Sequence, residues 1–158
     1  MGHKLGKNSI SKLENVHEDL VRIVELAIKI SKVDFGISEG FRSVETQNRY
    51  YQIGRTVDVD KPTITSIDGI NKKGKHNYSP ALAVDIYIYT PDSLFKSKIA
   101  YDPSHLSYVA GVIDAAAYLL KEKEEISHKV RWGGNWDSDE IITKDQSFQD
   151  MPHFELIK

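Results

Sequence analysis

The chain has 158 residues, 40% of them hydrophobic and 28% charged, with 21 Lys and Arg against 23 Asp and Glu for a formal net charge of −2. It contains no cysteine, which excludes a disulfide framework, a thiolate zinc site, an iron–sulfur cluster and a cysteine nucleophile. The balanced charge argues against nucleic acid as the main partner, and no apolar run approaches the ~18 residues of a membrane span.

Domains typically run to roughly 100–150 residues, so one domain with its own core is expected. The first residues, Gly2-His-Lys-Leu-Gly-Lys7, carry no apolar stretch of the secretory kind. Ser11-Lys-Leu-Glu14 has the pattern of a capping box. Leu13, Val16, Leu20, Val24 and Ala27 then recur at helical spacing, which predicts a helix over 12–31. Asp34 to Glu39 reads as a short strand leading into the turn Gly40-Phe41-Arg42-Ser43. Ser43 is placed to cap a helix over 44–53, closed by Gly54.

Residues 55–75 are polar and turn-rich, with Pro62, Gly69 and Gly74. The connection is longer than chain closure needs, so it is a candidate to line a site. It ends in the longest basic cluster, Lys72, Lys73 and Lys75 beside His76, which reads as a solvated loop rather than a phosphate contact.

Ala81 to Tyr89 alternates as a strand does, with Val84, Ile86 and Ile88 on one face and Ala83, Asp85, Tyr87 and Tyr89 on the other. After Asp102-Pro103, Leu106, Val109, Ile113, Ala116 and Leu120 mark a long helix that fades into the solvated charge run 121–125. Val130 to Trp132 is a strand before the Gly133-Gly134 turn, and His153 to Ile157 is a terminal strand with Pro152 at its start. This order of helices and strands predicts an α+β domain.

Asp85 sits in the middle of an apolar strand, where a carboxylate is costly unless it is paired, metal-bound or on the solvent face. His76 precedes it by nine residues in a loop. A third group lies in Asp150-Met-Pro-His153-Phe-Glu155, where His153 and Glu155 share one strand face and Phe154 and Leu156 the other. A hydrolytic zinc site needs three protein ligands, an open water position and a nearby base. His76, Asp85 and His153 can be the ligands and Asp150 the base. Glu155 can orient a ligand imidazole or stand on the surface. Arg42 can stabilise an oxyanion, clamp a carboxylate or form a structural salt bridge. His3, His17, His105 and His128 read as surface or capping residues. The two indoles of Arg131-Trp-Gly-Gly-Asn-Trp136 can wall a cleft or fill the core.

Together these segments resemble the zinc D,D- and L,D-peptidases of the VanX/VanY type, and most closely the phage L-alanyl-D-glutamate endopeptidase endolysins. The likeness starts at Leu5 to Ser9, before the first expected helix. It runs through Gly40–Ser43, Ala83-Val84-Asp85 and Arg131–Trp136 to Asp150–Leu156, and so covers nearly the whole chain. The resemblance implies a small single domain with an antiparallel sheet and flanking helices, of the Hedgehog/DD-peptidase kind. It implies one Zn2+ at the positions of His76, Asp85 and His153, with Asp150 as catalytic acidic residue and Arg42 as the substrate- or oxyanion-stabilising arginine.

The sequence departs from the usual family motif around its first histidine, with Gly74 where a Ser is usual and Ala81 where a Gly is usual. Eight residues, Asn77 to Val84, separate His76 from Asp85 where six are usual, so the loop at Asn77–Pro80 is longer.

The expected activity is hydrolysis of peptidoglycan stem peptides at the L-Ala–D-Glu bond by an endolysin. It would be carried by one catalytic domain over 1–158 with no separate wall-binding domain. The expected partner is the stem peptide, met by a monomer that neither binds nucleic acid nor inserts into a membrane. With no signal peptide, the enzyme would stay in the host cytoplasm until lysis brings it to the periplasm and wall. Two alternatives stand beside this: a D,D-carboxypeptidase or dipeptidase of the same fold, and a non-catalytic Hedgehog-like metal- or wall-binding module.

Overall fold

The computed structural model describes residues 2–142 and 145–158. Its first departure from the expected elements is at the N-terminus. The single helix over 12–31 is instead two, α1 (Lys7–Lys12) and α2 (Glu18–Ile30), separated by a turn with Asn15 at φ 57°. The Ser11–Glu14 capping box does not form. Ser11 lies inside α1, and its hydroxyl donates to the Asn8 carbonyl at 3.2 Å.

The cause is a tertiary bond that competes with the helix. Ala81 N–H donates to the Asn15 carbonyl at 2.8 Å, and His17 N–H donates to the Ala81 carbonyl at 2.9 Å. These bonds bury Leu13 and Val16 and hand the capping role to His17, whose Nδ1 accepts from Asp19 N–H at 3.1 Å.

The remaining elements follow the sequence closely. Strand β1 is Phe35–Glu39, and α3 is Val44–Gln52 with the Ser43 hydroxyl accepting from Thr46 N–H. The connection 55–75 leads into a 3-10 turn, Lys75–Asn77. Strand β2 is Ala83–Ile88. A one-turn helix α4 (Lys96–Ile99), which no periodicity announced, precedes α5 (Pro103–Glu122). Asp102 caps α5 by accepting from His105 N–H, with Pro103 in its first turn. Strands β3 (Lys129–Trp132) and β4 (His153–Ile157) complete the domain.

The sheet has the order β1-β2-β4-β3, and every neighbouring pair is antiparallel. One face is apolar: Phe35, Ile37, Val84, Ile86, Ile88, Phe154 and Leu156 are all buried. Helices α2 and α5 cover it with Leu20, Ile23, Val24 and Ala27, and with Leu106, Val109, Ile113 and Ala116. These spacings are the helical period read in the sequence. The opposite face carries Asp85, His153 and Glu155. Among the described residues no helix is long and apolar enough to cross a membrane.

Asp19 ties α2 to the segment entering β3. One of its oxygens accepts from the Ser127 and His128 backbone N–H groups, at 3.0 and 3.1 Å, and from the Ser127 hydroxyl and His128 Nδ1. Burial pushes this carboxyl up, but the four bonds outweigh it and bring it down to about 2. A carboxylate depressed in the folded state stabilises the fold above its unfolded value of 3.8, and that contribution is lost as pH falls toward 2. Asp19→Ala is therefore expected to cost about 2 kcal/mol at neutral pH. In urea titrations the gap from wild type should close as pH falls from 4 to 2. A gap that persists at pH 2 contradicts this account.

Candidate active site

Asp85 leaves β2 on the face away from the helices, while its neighbours Val84 and Ile86 are fully buried in the core. The β2–β4 register sets Asp85 directly opposite His153 and Ala83 opposite Glu155. His76 arrives from the 3-10 turn. That turn is stitched to the Gly40–Arg42 segment, because Arg42 N–H donates to the His76 carbonyl at 2.9 Å and Asn77 Nδ2 donates to the Arg42 carbonyl at 3.0 Å. Gly40 must be glycine here, since a Cβ would stand 2.0 Å from the Lys12 carbonyl oxygen. The two extra residues between His76 and Asp85 do not separate the pair. Tyr78–Pro80, between them, form an exposed bend.

Three donor atoms converge. His76 Nε2 lies 3.2 Å from Asp85 Oδ1, His153 Nδ1 lies 2.9 Å from the same oxygen, and the two imidazole nitrogens are 3.3 Å apart. Each imidazole is held from behind. His76 Nδ1 meets the Gly40 carbonyl at 2.7 Å, and His153 Nε2 meets Glu155 Oε2 at 3.1 Å. These partners accept, so each outer nitrogen carries a proton, and the inner nitrogens are the ones that could present lone pairs to a bound cation. Glu155 is itself held by Arg131 through Nε and Nη2.

Two lone pairs and a carboxylate at this separation repel unless positive charge sits among them. Burial opposes charge on His153, but Asp85 and Glu155 outweigh it and raise this imidazole to about 9. Burial pushes Asp85 and Glu155 up too, yet hydrogen bonds from His153 and its neighbours hold both below the ordinary carboxylate range. The site is built to stabilise a cation. Donors around a tetrahedral zinc, with bonds of ~2.0–2.1 Å, stand roughly 3.3 Å from one another, so the set fits a small divalent ion.

Asp150 lines the same cleft, and its side chain has no hydrogen-bond partner among the described residues. Burial first, then the charge of Asp85, pushes it above its usual range. Its backbone is fixed by the Gly133 turn: Asp150 N–H donates to the Gly133 carbonyl, and Gly133 N–H donates to the His153 carbonyl, both at 2.8 Å. A Cβ on Gly133 would stand 2.2 Å from the Asp150 carbonyl oxygen.

Arg42 lines the cleft and forms the structural salt bridge that was one of its three readings. Glu39 accepts from both its Nε and Nη2, Gln47 Oε1 accepts from Nη1 at 2.8 Å, and the Tyr50 ring lies 5.1 Å away. This uses three of its five N–H donors. Burial alone would lower its pKa, and the Glu39 carboxylate raises it.

The two indoles divide their roles. Trp132 packs on the core and donates from Nε1 to the Met151 carbonyl at 2.6 Å. Trp136 walls the cleft, 5.5 Å from the His153 ring and stacked on Phe148. The cleft has a volume of about 720 Å3, and Thr63–Ile67, Lys73 and Lys75 also line it. No sequence pattern marks Glu39 and Gln47 as the holders of Arg42, because their contact depends on how the turn at Gly40 folds.

Two further groups each bring three donor residues within 4.8 Å. One is His17, Asp19 and His128, whose donors are occupied in capping α2 and anchoring residues 127–128. The other is the exposed trio Asp137, Asp139 and Asp145.

The sequence matches the family described as phage L-alanyl-D-glutamate peptidase over residues 1–157. Among solved structures, the crystal structure of Serratia marcescens L-Ala D-Glu endopeptidase ChiX is similar, with a TM-score of 0.61 and 25% identity. The match covers 96% of this chain and 87% of that one.

The close approach at Gly133 is testable. Gly133→Ala is expected to cost about 1–3 kcal/mol by forcing the Asp150 segment away. An unchanged denaturation midpoint contradicts that packing.

Proposed function

The chain belongs to the phage L-alanyl-D-glutamate peptidase family, and from that premise we propose a zinc-dependent endolysin that cleaves the L-Ala–D-Glu bond of peptidoglycan stem peptides. The observation that carries the zinc assignment is the convergence of His76 Nε2, Asp85 Oδ1 and His153 Nδ1 within 3.3 Å, with both outer nitrogens already bonded. Two imidazoles and one carboxylate leave a fourth position open, as catalytic zinc sites do and closed structural sites do not. A zinc ion held there supplies Lewis-acid activation of the scissile carbonyl and of the attacking water.

The other roles belong to the protein. Asp150, without a side-chain hydrogen-bond partner among the described residues and in the same cleft as the ligands, takes a proton from the water and returns it to the leaving amine. Arg42 keeps two N–H donors for the substrate and stabilises negative charge developing on the carbonyl oxygen. Its ion pair with Glu39 fixes the guanidinium in advance, so little reorganisation is needed during the reaction. Glu155 and Arg131 orient His153. Trp136 covers that imidazole and limits water on its side of the cleft. Catalysis is assigned to one domain over 1–158, acting on the wall once lysis gives it access.

Asp150→Ala is expected to retain one zinc per chain and lose about 100-fold or more of its hydrolytic rate. His153→Ala and Asp85→Ala are expected to lose the metal itself, read by atomic absorption after dialysis. Undiminished activity in the first variant, or full zinc in the others, contradicts these roles.

The bond is read separately. Digested peptidoglycan is expected to show new N-terminal D-Glu by end-group analysis. New D-Ala ends would instead indicate a D,D-peptidase, and no new ends a binding module.

A further inference from the structure

The basic cluster that reads as a solvated loop in the sequence is only partly that. Lys73 and Lys75 line the cleft together with Arg55, all from the long connection and its end. Among the described residues, the five Lys and Arg side chains that line the cleft are not equivalent. Arg42 is neutralised by Glu39 and Arg131 by Glu155. Lys75 donates from Nζ to the Leu156 carbonyl at 3.1 Å.

Lys73 and Arg55 have no carboxylate partner among the described residues. They rest against aromatic rings, and Arg55 Nη1 also donates to the Tyr51 carbonyl at 2.6 Å. Lys73 Nζ lies 6.0 Å from the Tyr78 ring centroid, and the Arg55 guanidinium lies 4.0 Å from that of Tyr51. A chain with a formal charge of −2 therefore keeps two exposed cations without a carboxylate partner beside its cleft, while Lys75, also without one, is half-buried.

The long connection is tied to the site. Gln47, almost wholly buried, accepts from Arg42 and donates from Nε2 to the Ile67 carbonyl at 2.7 Å and to Thr65 Oγ1 at 3.3 Å. One oxygen of Asp68 accepts from the backbone N–H groups of Ile70, Asn71 and Lys72, which shapes the turn that delivers Lys73. The backbone that leads to Lys73 is thus tied to the site through Gln47.

We propose that Lys73 and Arg55 bind the free carboxylate beside the scissile bond and so select an acidic residue there. This rests on the L-Ala–D-Glu reading. A glutamyl residue acylated on its nitrogen has two carboxyl groups, and the chain continues through only one of them. The other stays free, next to the amide being cut. Cations lining the cleft recognise that charge, and the mostly apolar Trp136 and Phe148 that also line it do not.

The test compares two synthetic stem peptides, one with that carboxylate free and one with it amidated. Wild type is expected to prefer the free acid by about tenfold in kcat/KM, the value of one exposed charge-assisted bond. In the double variant Lys73→Gln, Arg55→Gln the preference is expected to fall to about one. The loss should come through KM, while the thermal midpoint stays within a degree or two.

A preference that survives in the double variant overturns the inference, as does a wild type that cuts both peptides equally well. A wild type that cuts neither peptide overturns the L-Ala–D-Glu reading, and this inference with it.

Discussion

The pairing of Asp85 with His153 across β2 and β4 is the constraint on which the rest depends. Side chains alternate along a strand, so a slip of one residue would turn Asp85 into the helical layer and bring Val84 out to the cleft. The core forbids that slip, because Val84, Ile86, Phe154 and Leu156 must all stay buried against α2 and α5. The apolar face thereby fixes the polar one. Packing of this kind places an imidazole nitrogen and a carboxylate oxygen 2.9 Å apart without any loop adjustment. Only His76 depends on a loop, and bonds to Gly40 and Arg42 anchor that loop at both backbone and ring.

The electrostatics follow from the same arrangement. Asp85, Glu155 and Asp150 all stand within reach of the two imidazoles, and each is at least partly buried. Glu155 is compensated by Arg131 and Glu39 by Arg42, which leaves Asp85 and Asp150 facing the imidazoles. Burial strengthens the attraction between these carboxylates and any cation placed among the donors. The lack of cysteine is consistent with this design. The donors are two nitrogens and an oxygen, a set that keeps an open position and is indifferent to redox conditions.

Much of this was legible in the sequence, for identifiable reasons. Strand β2, strand β4 and helix α5 carry clean apolar periodicity, so their faces and the residues opposite the core could be read directly. His76, Asp85, His153 and Asp150 were read as one cluster, and the structure brings all four to one cleft. What was not legible depended on long-range contacts. The break between α1 and α2 comes from backbone bonds to Ala81, which no local pattern reveals. The ion pair of Arg42 with Glu39 depends on the fold of the turn between them. Lys73 looks solvated in sequence, because only the folded course of residues 55–75 shows which side of the loop faces the cleft.

The central claim is that two imidazoles and one carboxylate hold a zinc ion at the base of this cleft. X-ray absorption at the zinc edge of the reconstituted protein tests it most directly, since it reads the ligands rather than the activity. The account predicts a four-coordinate shell with two imidazole nitrogens at about 2.0–2.1 Å, completed by oxygen. A shell of oxygen alone, or one with a single imidazole, would contradict it.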